Sequence, residues 1–148
     1  MNKLGIFTKQ IHVNKLVNYL NTYCKEIEYV IGTRKDEVNS LVFDIGVSYC
    51  FPYIIDITYP IESKKDWYNY HPGPLPEYPG LGNYADAIRE NTMRFGVTLH
   101  KMTNVVDQGP IIKKKYFDLV SKPTDINELG TITHYYLFQL FKETISLL

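Results

Sequence analysis

The sequence predicts an α/β fold: a single domain with one mostly parallel, twisted sheet and flanking helices. Three observations carry that expectation. The chain has 148 residues, the size of one domain and no more. Its 45% hydrophobic and 22% charged residues match the globular average and exclude disordered, collagen-like and coiled-coil chains. Short apolar runs of strand length alternate with a helically spaced segment near the N-terminus, the opening pattern of an α/β sheet.

The elements follow in order. Residues 3–8 (KLGIFT) read as a short buried strand. From Lys9 to Cys24, apolar Ile11, Val13, Leu16, Val17 and Leu20 recur at helical spacing. Residues 27–31 (IEYVI) are a second strand. Residues 41–49 (LVFDIGVSY) are a third, apolar enough to be covered on both faces. Only Thr33 to Ser40 joins the second strand to the third. Eight extended residues span about 27 Å, so a single turn or an extended return fits and a covering helix does not. The expectation is that a partner subunit, as in a homo-oligomer, or the C-terminal helix covers the face left thin. Pro52, Pro60, Pro72, Pro74, Pro76 and Pro79 punctuate an irregular middle. Residues 95–102 and 110–119 are the last strands, and residues 125–148 a final helix, broken or kinked near Gly130.

Charge and cysteine content narrow the class of function. Sixteen basic residues balance sixteen acidic ones, which argues against electrostatic binding of nucleic acid or an anionic membrane. No apolar run reaches the roughly 18 residues of a membrane span, and Thr8, Lys9 and Gln10 interrupt the layout of a signal peptide. Cys24 and Cys50 are far apart and form neither a disulfide framework nor a metal motif. No histidine has ligand spacing with another, so no metal is expected. The expected setting is reduced and cytoplasmic.

The stretch WYNYHPGPLPEYPGLG, residues 67–82, carries the chemistry. Asn69 and His71 stand two residues apart at a strand end, so both side chains share one face. An amide and an imidazole aimed together suit stabilising an oxyanion and moving a proton. The prolines that follow stiffen the backbone behind them. Farther on, Asp107 sits in a turn with Gly109 between two strands, an acid placed to orient an imidazole. Taken singly, each feature also reads as an ordinary polar strand edge or hairpin acid.

Together these residues resemble the folate-dependent formyltransferase family. The shared pattern is Asn69, His71 and Pro72; then Leu75, Pro76, Tyr78 and Gly80; then Gly96, Val97, Thr98 and His100; then Asp107 and Gly109. Gly73 departs from it, standing where many members carry serine. The resemblance implies a shortened Rossmann-like formyltransferase fold and a catalytic triad of Asn69, His71 and Asp107. It implies 10-formyltetrahydrofolate as co-substrate, with Phe51, Pro52, Tyr53 and Ile54 and then Thr103, Asn104 and Val105 flanking the pteridine. It also implies a cis bond between Leu75 and Pro76.

Family members differ in the amine they formylate. After the first strand this chain reads Gly5-Ile6-Phe7-Thr8-Lys9-Gln10-Ile11, without the glycine-rich phosphate loop of the glycinamide ribonucleotide enzymes. It is neutral and ends in a helical pattern, unlike the tRNA-directed members with their basic character and C-terminal barrel. The resemblance therefore runs most closely to the sugar N-formyltransferases, with a nucleotide-linked amino sugar as acceptor. Glycinamide ribonucleotide, another small amine, and a folate-binding module without turnover are the alternatives.

Overall fold

The computed structural model describes residues 2–56, 65–80 and 83–148. Its elements run β1 (Leu4–Thr8), α1 (Gln10–Tyr23), β2 (Tyr29–Gly32), α2 (Glu37–Ser40), β3 (Ile45–Tyr49), β4 (Asp66–His71), α3 (Asn83–Arg89), β5 (Arg94–Lys101), β6 (Ile111–Asp118) and α4 (Ile126–Thr144). A 3₁₀ turn, Ile145–Leu147, follows. Pro60 of the proline-punctuated middle and Leu81-Gly82 of the motif stretch lie outside the described residues.

All six strands form one sheet in the order β2-β1-β3-β4-β5-β6. The first four strands are parallel, and β5 and β6 add an antiparallel edge. The chain leaves β1 toward β2 on one side and returns to β3 on the other. That reversal opens a crevice at the carboxyl ends of β1 and β3.

One face of the sheet holds the main core. Leu4, Ile6, Val47, Tyr49, Tyr70, Phe95, Val97 and Leu99 meet Leu16 and Leu20 of α1 and Leu129, Leu137, Leu140 and Phe141 of α4. Of the two covers expected for the opposite face, the C-terminal helix is not one. The C-terminal helix packs on the first face, and the second is filled by Phe7, Val38, Phe43, Ile55 and Trp67. Glycines in the strands make the slots: a Cβ at Gly5 would fall 2.4 Å from the Phe43 ring, and one at Gly46 2.2 Å from Trp67. Flat rings laid on bare backbone replace the layer that the connection from Gly32 to Ile45, with its single helical turn at Glu37–Ser40, does not supply.

Three local expectations need correction. The third strand begins at Ile45 rather than Leu41. The residues before it are apolar because Leu41 and Phe43 cover the sheet, and Asp44 sets the strand start by accepting the Lys3 backbone N–H at 2.7 Å. The final helix is not broken at Gly130; it runs through to Thr144. There the missing side chain admits the Tyr84 ring, 3.4 Å from where a Cβ would stand. Asp125 caps this helix by accepting from Asn127 N at 2.9 Å. Helix α3 was not expected from the sequence, because seven residues beside a proline-dense loop carry too little periodicity. No helix among the described residues is long and apolar enough to cross a membrane.

Candidate active site

Strand β4 places the motif as its spacing requires. Trp67, Asn69 and His71 alternate onto the face opposite the main core. In the antiparallel ladder Asn69 faces His100 and His71 faces Thr98, which gathers four polar side chains on that face. His71, Thr98 and His100 are buried, at 5%, 0% and 2% exposure, so each needs an internal partner.

Those partners give the motif residues their physical reasons. The Thr98 hydroxyl accepts from Leu75 N at 3.0 Å and donates to Gly73 O at 2.9 Å, pinning the proline loop to β5. A Cβ at Gly96 would lie 3.2 Å from Pro74 and 2.8 Å from the Lys115 carbonyl, so only glycine lets the loop and β6 approach. The Leu75–Pro76 bond is cis. A Cβ at Gly73 would fall 2.4 Å from Nδ2 of Asn83, whose amide holds Pro72 O at 2.8 Å. A serine at this position therefore demands another placement of Asn83.

Asp107 arrives on the loop between β5 and β6, in a left-handed conformation with φ of 59°. That loop lies against β5: a Cβ on Gly109 would fall 1.6 Å from the Lys101 carbonyl oxygen. The Asp107 carboxylate accepts the Gly80 N–H at 2.7 Å. Its other oxygen lies 3.7 Å from Nδ1 of His71 and 3.7 Å from Nε2 of His100. Asn69, His71 and Asp107, named from the sequence, thus converge.

The hydrogen bonds set the ring states. His100 Nδ1 sits 3.0 Å from the Lys101 carbonyl, so it carries the proton and donates. Its Nε2 then accepts from Asn69 Nδ2 at 3.2 Å. This fixes which way the amide points and leaves its second N–H for a ligand oxygen. His71 Nε2 faces the Tyr78 carbonyl at 2.9 Å and donates to it. Both nitrogens of His71 therefore face acceptors, an arrangement that suits a ring taking up a second proton. His100, the backbone carbonyl of Tyr78 and the N–H of Gly80 are the contributors that motif reading left without a role. The place of His100 in the shared pattern after Gly96, Val97 and Thr98 was the one available signal.

Burial, above all, holds the His100 pKa below its ordinary 6.5, with His71 adding to the effect against the opposing pull of Asp107 and the Lys101 carbonyl. A lowered folded pKa means that the unfolded chain binds the proton more readily. The contribution to stability is therefore complete above about pH 6.5 and is lost as pH falls toward the folded value. Urea unfolding across that window is expected to show a shallower pH slope for His100→Gln than for the unaltered chain. Equal slopes would overturn the assignment of a neutral His100.

The residues expected to flank the pteridine are arranged less tightly. Phe51 packs on Phe7 with ring centroids 5.7 Å apart. With Ile54 it lines an open cleft of ≈ 330 Å³, together with Val38 and Ile55. Tyr53 stacks edge-on to Phe51 and is partly exposed, and Pro52 is exposed. Thr103, Asn104 and Val105 form a surface turn in which the Thr103 hydroxyl reaches Val105 O at 3.3 Å. Met102, just before that turn, packs against the same aromatic cluster as Phe51. The two segments thus border one cluster, whereas Asn69, His71 and Asp107 do not line the cleft.

A second group of chemically capable side chains was not visible in the sequence. His12 of α1, Cys50 after β3 and His134 of α4 place their ligand atoms within 4.8 Å of one another. Burial foremost, then Lys15, His134 and Lys9, brings His12 down to about 4. Burial also lowers His134, with help from Lys15 and Lys9. The Cys50 thiol is pushed up to about 12 by burial, against Lys9 and Lys15.

Comparison with known proteins fits this architecture. The chain is 39% identical over 44 residues to phosphoribosylglycinamide formyltransferase of Escherichia coli K12, a match covering 30% of this chain and 21% of that protein. The matched segments of the curated relatives span only a fifth to a quarter of those two whose enzyme acts on phosphoribosylglycinamide. The formyltransferase PseJ from Anoxybacillus kamchatkensis, solved with UDP-4,6-dideoxy-4-formamido-L-AltNAc and tetrahydrofolate, superposes with a TM-score of 0.79 at 22% identity, over 98% of this chain and 75% of its own. Phosphoribosylglycinamide formyltransferase from Streptococcus pneumoniae TIGR4 superposes at 0.74 and 21% identity, over 99% of this chain and 98% of its own. These likenesses show the shared fold. Residues 36–135, from α2 to the middle of α4 and including every motif residue from Asn69 to Gly109, match the Formyl transferase family, and the chain belongs to that family.

Proposed function

We propose that this chain transfers a formyl group from 10-formyltetrahydrofolate to the primary amine of a small acceptor, first among them a nucleotide-linked amino sugar. The observation that carries the reading is the convergence of Asn69, His71 and Asp107 on one sheet face, with one Asn69 amide hydrogen left for a ligand. When an amine attacks a formyl carbon, negative charge builds on the formyl oxygen. Asn69 donates its remaining N–H there, and preorganised donors of this kind are worth about 3–4 kcal/mol each. His71 takes up the proton that leaves the amine and delivers it to the folate nitrogen as the bond from that nitrogen to the formyl carbon breaks, and Asp107, anchored by Gly80, holds the imidazole and faces the charge it gains.

The fit of a flat pteridine rests on Phe51 and the cleft that it lines with Val38, Ile54 and Ile55 and with the polar Lys35, Asn39 and Asp56. Bound folate supplies the one-carbon unit; the chain's residues orient it and its acceptor. PseJ was solved with a nucleotide sugar and tetrahydrofolate, which supports the amino-sugar reading. Glycinamide ribonucleotide is the second reading, supported by the curated relatives that match in sequence. Against it, Thr8-Lys9-Gln10 after β1 offers no glycine-rich phosphate loop.

The test incubates the chain with 10-formyltetrahydrofolate and a panel of amines, scored by product mass. The panel contains nucleotide-linked amino sugars and glycinamide ribonucleotide. The expected product is a formylated amino sugar. Turnover of glycinamide ribonucleotide alone transfers the assignment to the second reading, and folate binding without turnover on any amine makes the chain a binding module.

A further inference from the structure

We propose that His12, Cys50 and His134 form a binding site for one Zn²⁺ ion at the carboxyl ends of β1 and β3, separate from the formyl-transfer residues. The ligands come from three elements that the fold brings together: the first turns of α1, the exit of β3 and the middle of α4.

Geometry comes first. Cys50 Sγ lies 4.0 Å from His134 Nδ1, and the His12 and His134 rings stack with centroids 5.3 Å apart, inclined by 24°. Tetrahedral Zn²⁺ with Zn–S of about 2.3 Å and Zn–N of about 2.0–2.1 Å sets its donors about 3.4–3.6 Å apart. The cluster needs a contraction of about 0.5 Å between Cys50 and His134 and of at most about 1.4 Å at its other edges, within the reach of side-chain rotation. Cys50 has a φ of 53°, which turns its side chain out of strand alternation toward α1 and α4. His71, which follows the Tyr70 paired with Tyr49, points to the other face. The sheet therefore separates the two sites.

Chemistry selects the ion. One thiolate and two imidazoles suit a borderline-soft divalent ion such as Zn²⁺ rather than Mg²⁺ or Ca²⁺, which take oxygen donors. The His12 ring makes no hydrogen bond among the described residues, and the weak Cys50 contact is the one recorded for His134. The Tyr49 hydroxyl is buried without a hydrogen-bond partner among the described residues, and its ring lies 5.5 Å from His12. Ring nitrogens and a thiol gathered without other duties are what a ligand set requires. Lys9 and Lys15 oppose a bare cation here, but they favour the thiolate that Zn²⁺ binds and an anionic fourth ligand. Three protein ligands leave that fourth position open.

Bound Zn²⁺ would tie α1, the end of β3 and α4 to one point. Phe51 follows Cys50 directly, so the ion would also restrain the segment that lines the cleft.

The experiment uses the full chain, stripped with a chelator. Zn²⁺ uptake is measured by competition with a chromophoric chelator, and Co²⁺ replaces Zn²⁺ for spectroscopy. One equivalent of Zn²⁺ is expected, with a thiolate-to-cobalt charge-transfer band and the intense d–d bands of a four-coordinate site. Affinity should fall more than about 100-fold in Cys50→Ser, His12→Gln and His134→Gln, exceeding the loss typical of an outer-shell partner, while Cys24→Ser binds as before. Absence of the thiolate band in the unaltered chain overturns the proposal, as does undiminished Zn²⁺ uptake by the three ligand variants. The band is read on the unaltered chain, so it decides even where a variant fails to fold.

Discussion

Asn69→Ala is expected to lower kcat for formyl transfer by about 10²–10³-fold, the usual loss for one oxyanion donor, with KM for the amine changed far less. The asymmetry follows from where the donor acts, since its free N–H meets an oxygen that becomes charged only as the amine attacks. His71→Ala should fall at least as far, because general acid–base help of about 10²–10⁴-fold is lost with the ring. Asp107→Asn separates two roles of the carboxylate. The amide oxygen can still accept the Gly80 N–H, which now reaches Asp107 at 2.7 Å, so the loop stays in place while the charge beside His71 disappears. Its kcat should drop less than that of His71→Ala. Combining Asn69→Ala with His71→Ala should give less than the product of the single losses, because residues acting on one transition state are not additive. Steady-state kinetics on the acceptor found by the amine panel reads all four. Wild-type kcat in Asn69→Ala and His71→Ala would remove both residues from the chemistry.

How much of this was legible in the sequence depends on the range of the interaction. The shared face of Asn69 and His71 follows from period-two alternation, a local property, and the structure shows it. The helical turn at Glu37–Ser40 follows from connection length, equally local. What stayed hidden depends on partners distant in sequence. His100 supports Asn69 from 31 residues away, and no spacing along the chain declares a cross-strand pair. Gly130 reads as a helix breaker until Tyr84 is seen to occupy the space it leaves. His12, Cys50 and His134 converge from three elements, and short-motif arithmetic sees ligands only when they are near neighbours in sequence. Residues 41–44 misread as strand for a related reason, since apolarity reports burial and not the backbone that achieves it.

Trp67→Ala is expected to destabilise the fold by about 3–5 kcal/mol, a large share of the roughly 5–15 kcal/mol that holds a small domain together. Trp67 is 2% exposed, and it fills the face that no long helix covers. Its ring lies over Gly46, 5.5 Å from the Phe7 centroid and 5.6 Å from that of Phe43. Trp67→Phe should cost much less, because the indole N–H is buried without a partner among the described residues. Removing it relieves an unsatisfied donor while keeping an aromatic face in the slot. Gly46→Ala attacks the same contact from below: a Cβ there would press 2.2 Å from the indole, and buried rings have no free direction in which to yield. In Trp67→Ala that collision is gone, so Gly46→Ala should be far milder in the double variant than alone. Urea midpoints of the four proteins close a thermodynamic cycle with a coupling above about 1 kcal/mol. Additive losses would mean that the ring and the glycine slot are not one packing unit, and the second face would then need another cover. The consequence reaches the candidate site as well. The Trp67 carbonyl accepts Met102 N at 2.8 Å, where the chain leaves β5 for the loop that carries Asp107. Loosening Trp67 should therefore lower formyl transfer in the protein that remains folded, through the placement of Asp107 against His71.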